Sequence, residues 1–324
     1  MKTLSYLIVF FYLTLGQIVF AQNTNEKTGP GTYEILSNIK EPVKIPFKMH
    51  HGKPIMELKI NGEPAVFMID NGILWDEVWL FGTPIVEKIN LKPIETGTIA
   101  GAGEGDATTA YTSSNLTLAF KDIIFYEQPV YVSPYEAGFA NMFPGTDGQL
   151  CNAFFKHFIV EFDFEENFVI LHNPKEFKYE GNGSILDMTL NESGTHAVPF
   201  SFTTLDGKIY NDKADIDFGG VYEFKVALNN KHNLQLPKDV KPVRAFGAQG
   251  EMNEYKGKIK NMIFGKYTFE DPTVVFGDER TARIHPDNLG VIGLPMFMKF
   301  DIIFDYFNYK IYIEPNRDFN GTIE

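Results

Sequence analysis

Two stretches of this chain carry an apolar run straight into an aspartate and a glycine turn. The first is Val66-Phe67-Met68-Ile69-Asp70-Asn71-Gly72, and the second is Ala214-Asp215-Ile216-Asp217-Phe218-Gly219-Gly220. Ending a buried strand on a carboxylate is costly unless the acid is hydrogen-bonded or useful. A glycine just beyond it permits a tight turn and lets backbone N–H groups approach the carboxylate. Two carboxylates held close cannot both ionise easily, so one keeps a proton while the other is charged. Such a pair can take a proton from a bound water and give one to a carbonyl oxygen, with neither a metal nor a covalent intermediate. Asp215 competes with Asp217, because residues two apart on a strand share a face. The turn Phe218-Gly219 and the spacing favour Asp217. Asp70 precedes Gly101 by 31 residues and Asp217 precedes Gly247 by 30. Taken alone, each aspartate also fits a turn cap.

The elements that would position these acids come as an internal repeat. Gly148–His172 lies over Gly290–Glu314 at a constant offset of 142, pairing Phe155 with Phe297, Phe158 with Phe300, Phe162 with Phe304 and Asp163 with Asp305. Further blocks recur in the same order. The stretch from Tyr111 to Phe125, Pro129 and Val132 resembles that from Tyr255 to Phe269, Pro272 and Val275. Gly101-Ala102-Gly103-Glu104-Gly105 resembles Gly247-Ala248-Gln249-Gly250-Glu251, and Ile45-Pro46-Phe47 resembles Val198-Pro199-Phe200. Short alternating apolar runs bounded by turn signals, such as Asn61-Gly62 after Leu58 and Ile60, indicate hairpins and an all-β fold of two similar barrels. Helical pieces are short, as at Asn152 to His157. Asp163 and Asp305 read as structural strand ends.

The bulk properties narrow the setting. Lys2, an apolar run from Leu4 to Phe20 and Val19-Phe20-Ala21 read as an export signal cleaved after Ala21. The chain is then organised as residues 1–21 signal peptide, 22–40 a loose leader, 41–177 one lobe and 178–324 the other. The expected location is periplasmic or secreted, with membrane contact only through an uncleaved signal. A net charge of −13 disfavours nucleic acid as a partner. The single cysteine, Cys151, rules out an internal disulfide and reads as a small packed residue. The seven histidines show no metal-ligand spacing, so neither metal nor cofactor is expected. No Gly-x-Ser-x-Gly frame is present.

Across residues 45 to 315 the chain resembles the pepsin/retropepsin-like aspartic proteases, in particular bilobal exported members of bacterial type. Ile69-Asp70-Asn71-Gly72 and Ile216-Asp217-Phe218-Gly219 fall on the family's apolar strand into Asp-Thr/Ser-Gly. Val291-Ile292-Gly293 falls on its late apolar-apolar-Gly motif, where the first copy has Gln149-Leu150-Cys151. The resemblance implies two β-barrel lobes facing across a peptide-binding cleft, with Asp70 and Asp217 as the catalytic pair. It implies that Asn71, Gly72, Phe218 and Gly219 support the two loops, and that Gly101, Gly103 and Gly105 form a substrate-binding flap. The implied activity is aspartic-type endopeptidase action on peptide or unfolded protein. The family's Thr or Ser hydroxyls bond across to the opposite loop. The Asn71 amide can imitate that, whereas the Phe218 side chain cannot. A non-catalytic pseudoprotease that binds extended peptides by strand addition is the alternative, and a purely structural protein is a third reading.

Overall fold

The computed structural model describes residues 31–36, 42–72, 78–99, 103, 105–192, 194–247 and 249–323. The signal-peptide reading, most of the leader and Gly101 lie outside the described residues. Among the described residues, strands form three sheets, and helices are single short turns.

The first copy curls nine strands into one sheet. Its centre is strand Glu63–Ile69, flanked by Lys53–Ile60 on one side and by the short strand Gly148–Leu150 on the other. Pairing of Thr108–Ala119 with Ile123–Val132 brings the sheet round on itself. The second copy repeats the plan in an eleven-stranded sheet centred on Ile209–Asp217. Burial alternates along Lys53–Ile60 and His196–Thr203, as a half-covered antiparallel sheet requires. The two short strands behind the acids, Gly148–Leu150 and Gly290–Gly293, are buried at every position and pair in parallel with the acid-bearing strands.

A third, six-stranded sheet draws strands from both copies. Ile159–Asp163 pairs antiparallel with Phe300–Asp305, with Val160 opposite Phe304, Glu161 opposite Ile303 and Phe162 opposite Ile302. At the offset of 142, Val160 corresponds to Ile302 and Phe162 to Phe304. Exchanging the copies therefore maps this register onto itself, and a local two-fold passes between Glu161 and Ile303. Both lobes thus share one backbone ladder, and a single buried apolar cluster runs through both.

Ladder register corrects some sequence correspondences. Val198-Pro199-Phe200 occupies the place of Met56-Glu57-Leu58, because Met56 faces Phe67 as Val198 faces Ala214. The place of Ile45 and Pro46 belongs to Leu186 and Asp187. Val132 matches Phe276 rather than Val275, since Tyr111 faces the one and Tyr255 the other. Strand alternation looks alike at neighbouring even shifts, which is why such blocks slip when matched by residue type. Asn152 to His157 runs as successive turns, while its counterpart Leu294–Phe297 is a helical turn. Within the segment read as a loose leader, Tyr33–Ile35 is a strand paired with Ile123–Phe125. The Tyr33 ring packs on Phe125 and Phe158, and Tyr126 donates to the Glu34 carboxylate at 2.8 Å.

Candidate active site

Register fixes the equivalence of the two acids. Ile69 lies beside Leu150, and Ile216 lies beside Ile292. Asp70 and Asp217 therefore follow equivalent strand positions, and Asp215 is the counterpart of Met68. Asp215 is buried and fully engaged elsewhere. It accepts from His285 Nδ1, from Asn288 Nδ2 at 2.8 Å and from Asn191 Nδ2. Asp163 and Asp305 accept backbone N–H groups of their own turns, from Glu166 at 2.8 Å and Asn308 at 3.0 Å.

The glycines after the acids explain how closely the lobes meet. A Cβ built on Gly219 would lie 2.5 Å from Asp70 Oδ2 and 2.7 Å from Asp217 Oδ1. A Cβ on Gly72 would run into the Asp217 carboxylate. Each glycine thus passes against the acid of the opposite lobe, where any side chain would force the loops apart. Those two distances hold Asp70 Oδ2 and Asp217 Oδ1 within roughly 5 Å of each other, a span that one water can bridge.

Asp70 is buried, and its environment is specific. Gly72 N–H donates to Oδ1 at 3.0 Å, and Gln149 Nε2 donates to Oδ2 at 3.0 Å. The Gly219 N–H also bonds to this carboxylate. Even so, burial first and the Asp217 charge second raise its pKa to about 7, against the opposing pull of Lys53 and the two backbone donors. Asp217 Oδ2 accepts from Tyr222 OH at 3.2 Å. Burial, followed by the Asp217 charge, holds that phenol well above its ordinary range.

The brace between the loops is asymmetric. Asn71 Oδ1 accepts from the Phe218 N–H at 3.0 Å, so the amide spans the interface. The reverse side-chain bond cannot form from Phe218. Its ring is instead fully buried among Phe162, Phe297 and Phe304, at centroid distances of 4.8, 5.2 and 5.5 Å. Lys53, reaching over from the first lobe, donates to the Phe218 carbonyl at 2.9 Å and also to the Gly219 carbonyl. Cys151 occupies the place that Gly293 holds in the second copy. A Cβ on Gly293 would strike the Tyr222 carbonyl, whereas Cys151 is accommodated in a buried cluster with Met68, Trp79 and Phe139.

Two hairpin tips, one from each copy, meet. Gly103 and Gly105 belong to the turn between Thr96–Ile99 and Thr108–Ala119, and Gln249 to the turn between Lys241–Gly247 and Gly250–Lys258. The Gly105 N–H donates to the Gln249 carbonyl, and Gln249 Nε2 donates back to the Gly105 carbonyl at 2.8 Å. Gly103 has φ +115° and presses against the Gln249–Gly250 peptide, so a left-handed backbone and close approach both require glycine there. Arg280 donates to Gln249 Oε1. The expected flap residues Gly103 and Gly105 thus lie against the hairpin tip of the second copy.

Lys53, Gln149 and Tyr222 escaped the sequence reading of the site. Lys53 sits in His50-His51-Gly52-Lys53-Pro54, which resembles an exposed turn. Tyr222 follows the Gly219-Gly220 turn that had already been singled out, so that proximity was the available signal. Among the described residues no cluster of His, Cys, Asp and Glu is arranged to hold a metal ion, and no helix is long and apolar enough to cross a membrane.

No family model matches the sequence, and no curated protein does either. Among solved structures, the crystal structure of the aspartic proteinase from Irpex lacteus matches with a TM-score of 0.52 at 12% identity. The match covers 85% of this chain and 97% of that one. The chain has the bilobal, mostly β fold of a pepsin-like aspartic proteinase.

Proposed function

We propose that this chain is an aspartic-type endopeptidase in which Asp70 and Asp217 act as a pair on a single water. The observation that carries this reading is the convergence of both carboxylates on Gly219, one from each copy. Asp70, whose pKa is raised to about 7, holds the proton and donates it to the scissile carbonyl oxygen. Asp217 takes a proton from the water, which attacks the carbonyl carbon. The C–N bond breaks as the amine leaves with the proton that Asp217 took, and a hydroxyl of the intermediate returns a proton to Asp70 as the carboxyl product forms. The backbone donors around Asp70 and the Tyr222 hydroxyl on Asp217 keep the two carboxyl groups distinct. Substrates are extended peptides or unfolded chains, which can lie between the hairpin tips and the acids. The basic, apolar start of the sequence supports export of the enzyme.

Cleavage of an unfolded, fluorescently labelled protein tests this. Asp70→Asn and Asp217→Asn should each lower kcat/KM by roughly 10²–10⁴-fold. Wild-type rates in both variants would overturn the assignment. One feature favours a peptide-binding pseudoprotease instead, namely that Phe218 stands where a bracing hydroxyl is expected. Asn71→Thr separates the two readings. An enzyme should keep measurable cleavage, because the brace to the Phe218 N–H is retained, while a binding protein would show peptide affinity and no turnover in either form.

A further inference from the structure

We propose that Lys53 is a positioning residue for the aspartate pair, one that aims the Gly219 N–H at Asp70 and favours the ionised pair by its charge. This rests on the peptidase reading of the site. Lys53 Nζ donates to the Phe218 carbonyl oxygen at 2.9 Å. The N–H of that same peptide unit belongs to Gly219 and bonds to the Asp70 carboxylate. In a trans peptide the C=O and N–H point in opposite directions. Holding the carbonyl therefore fixes where the N–H points, and a cation on the oxygen polarises the donor at the other end. A second bond from Nζ, to the Gly219 carbonyl, stops the loop from rotating about Gly219.

Lys53 opens strand Lys53–Ile60 in the first lobe, while its carbonyl partners belong to the second. Its bonds thus tie the lobes together at the acids. The ladder gives its counterpart directly. Ile55 faces Met68 as Ala197 faces Asp215, which places Lys53 opposite Thr195 in the repeat. Only one copy carries the cation, so the two-fold is broken where the pair must become inequivalent. Burying an ammonium group is costly, and Lys53 is 7% exposed. Burial lowers its pKa, and the charges of Asp70 and then Asp217 oppose that shift. Among the described residues, the other groups facing the pair are the Gln149 amide and the Tyr222 hydroxyl, with the buried Lys225–Glu254 ion pair behind Tyr222. The Gln149, Tyr222 and Lys225–Glu254 contacts are made without Lys53.

The test uses the full-length protein and two readouts. One is the titration of the protonated carboxyl band by infrared difference spectroscopy, assigned with Asp70→Asn. The other is the pH profile of kcat/KM. Lys53→Met should move the carboxyl titration and the basic limb upward by about one pH unit or more, the size expected on losing an adjacent opposite charge. Lys53→Arg, which keeps the charge and the donors, should titrate close to wild type. Lys53→Gln keeps a donor without charge. It should shift as Lys53→Met does, and it serves if the methionine variant fails to fold. Titration at the wild-type position in a folded, uncharged variant, or an arginine variant that shifts like the uncharged ones, would overturn the proposal. The infrared readout does not need turnover. A wild-type protein that cleaves nothing but shows the shift would remove the peptidase reading and leave the role of Lys53 standing.

Discussion

Asp70 destabilises the fold once it loses its proton. Its folded pKa of about 7 lies above the ordinary 3.8, with burial the main cause and the Asp217 charge next. A group raised in this way contributes stability that is complete below its unfolded pKa. That contribution is lost as pH rises through the folded value, because the native state holds the proton longer. Wild type should therefore lose stability between about pH 4 and pH 7, by an amount on the order of a few kcal/mol. Asp70→Asn should abolish that loss. Its Tm should exceed wild type by several degrees above about pH 7, and the gap should close below about pH 4. A gap that does not vary with pH would contradict the burial argument. On the proposed peptidase reading, the same titration predicts that cleavage falls as pH rises past about 7, when the pair can no longer supply a proton. Asp70, Asp217, Gly72 and Gly219 were all legible in the sequence, because a strand entering a glycine turn is a local signal. Lys53 was not, because its burial comes from the opposite lobe and nothing in its own neighbours announces it.

At the scale of elements, Phe218 shows why a motif can depart from the expected residue and still sit in a working position. The ring leaves the loop and enters the aromatic wall formed by Phe162, Phe297 and Phe304, residues the repeat had already paired across copies. The brace is then shared between the Asn71 amide and Lys53. Placing Thr at this position would therefore remove a core side chain. Phe218→Thr should destabilise the protein by about 3–5 kcal/mol, the usual cost of a large-to-small change in a packed aromatic site. Urea unfolding measures it, and a loss under about 1 kcal/mol would mean that the ring is not anchoring the loop. The order of the elements was legible from hairpin signals and from the constant-offset block. Their register was not, as Val198-Pro199-Phe200 illustrates: alternating apolar and polar residues match equally well at several even shifts. Only the parallel ladders beside Gly148–Leu150 and Gly290–Gly293 fix which aspartate is equivalent to which.

At the scale of the molecule, the two copies meet in the shared six-stranded sheet, at the paired acid loops and at the hairpin tips. The repeat of 148–172 in 290–314 was legible as a duplication, but the pairing of its two strands with each other was not, because two separate barrels would show the same repeat. Nor was the tip contact, because glycine-rich turns carry no pairing code of their own. On the proposed peptidase reading, substrate passes beneath the tips, so the reciprocal Gly105–Gln249 bonds that join them must part before it binds. The binding-competent fraction then limits apparent affinity. Gln249→Ala removes the side-chain bond to the Gly105 carbonyl and the contact from Arg280. A typical hydrogen bond contributes about 0.5–1.5 kcal/mol net, so association of an unfolded substrate should quicken by roughly 2- to 10-fold. Amide exchange at Gly105 should quicken with it. Stopped-flow binding to Asp217→Asn protein, which does not consume the substrate, isolates this step. Association that is unchanged or slower in the Gln249→Ala background would mean that the tips form a fixed arch and that substrate enters from the side.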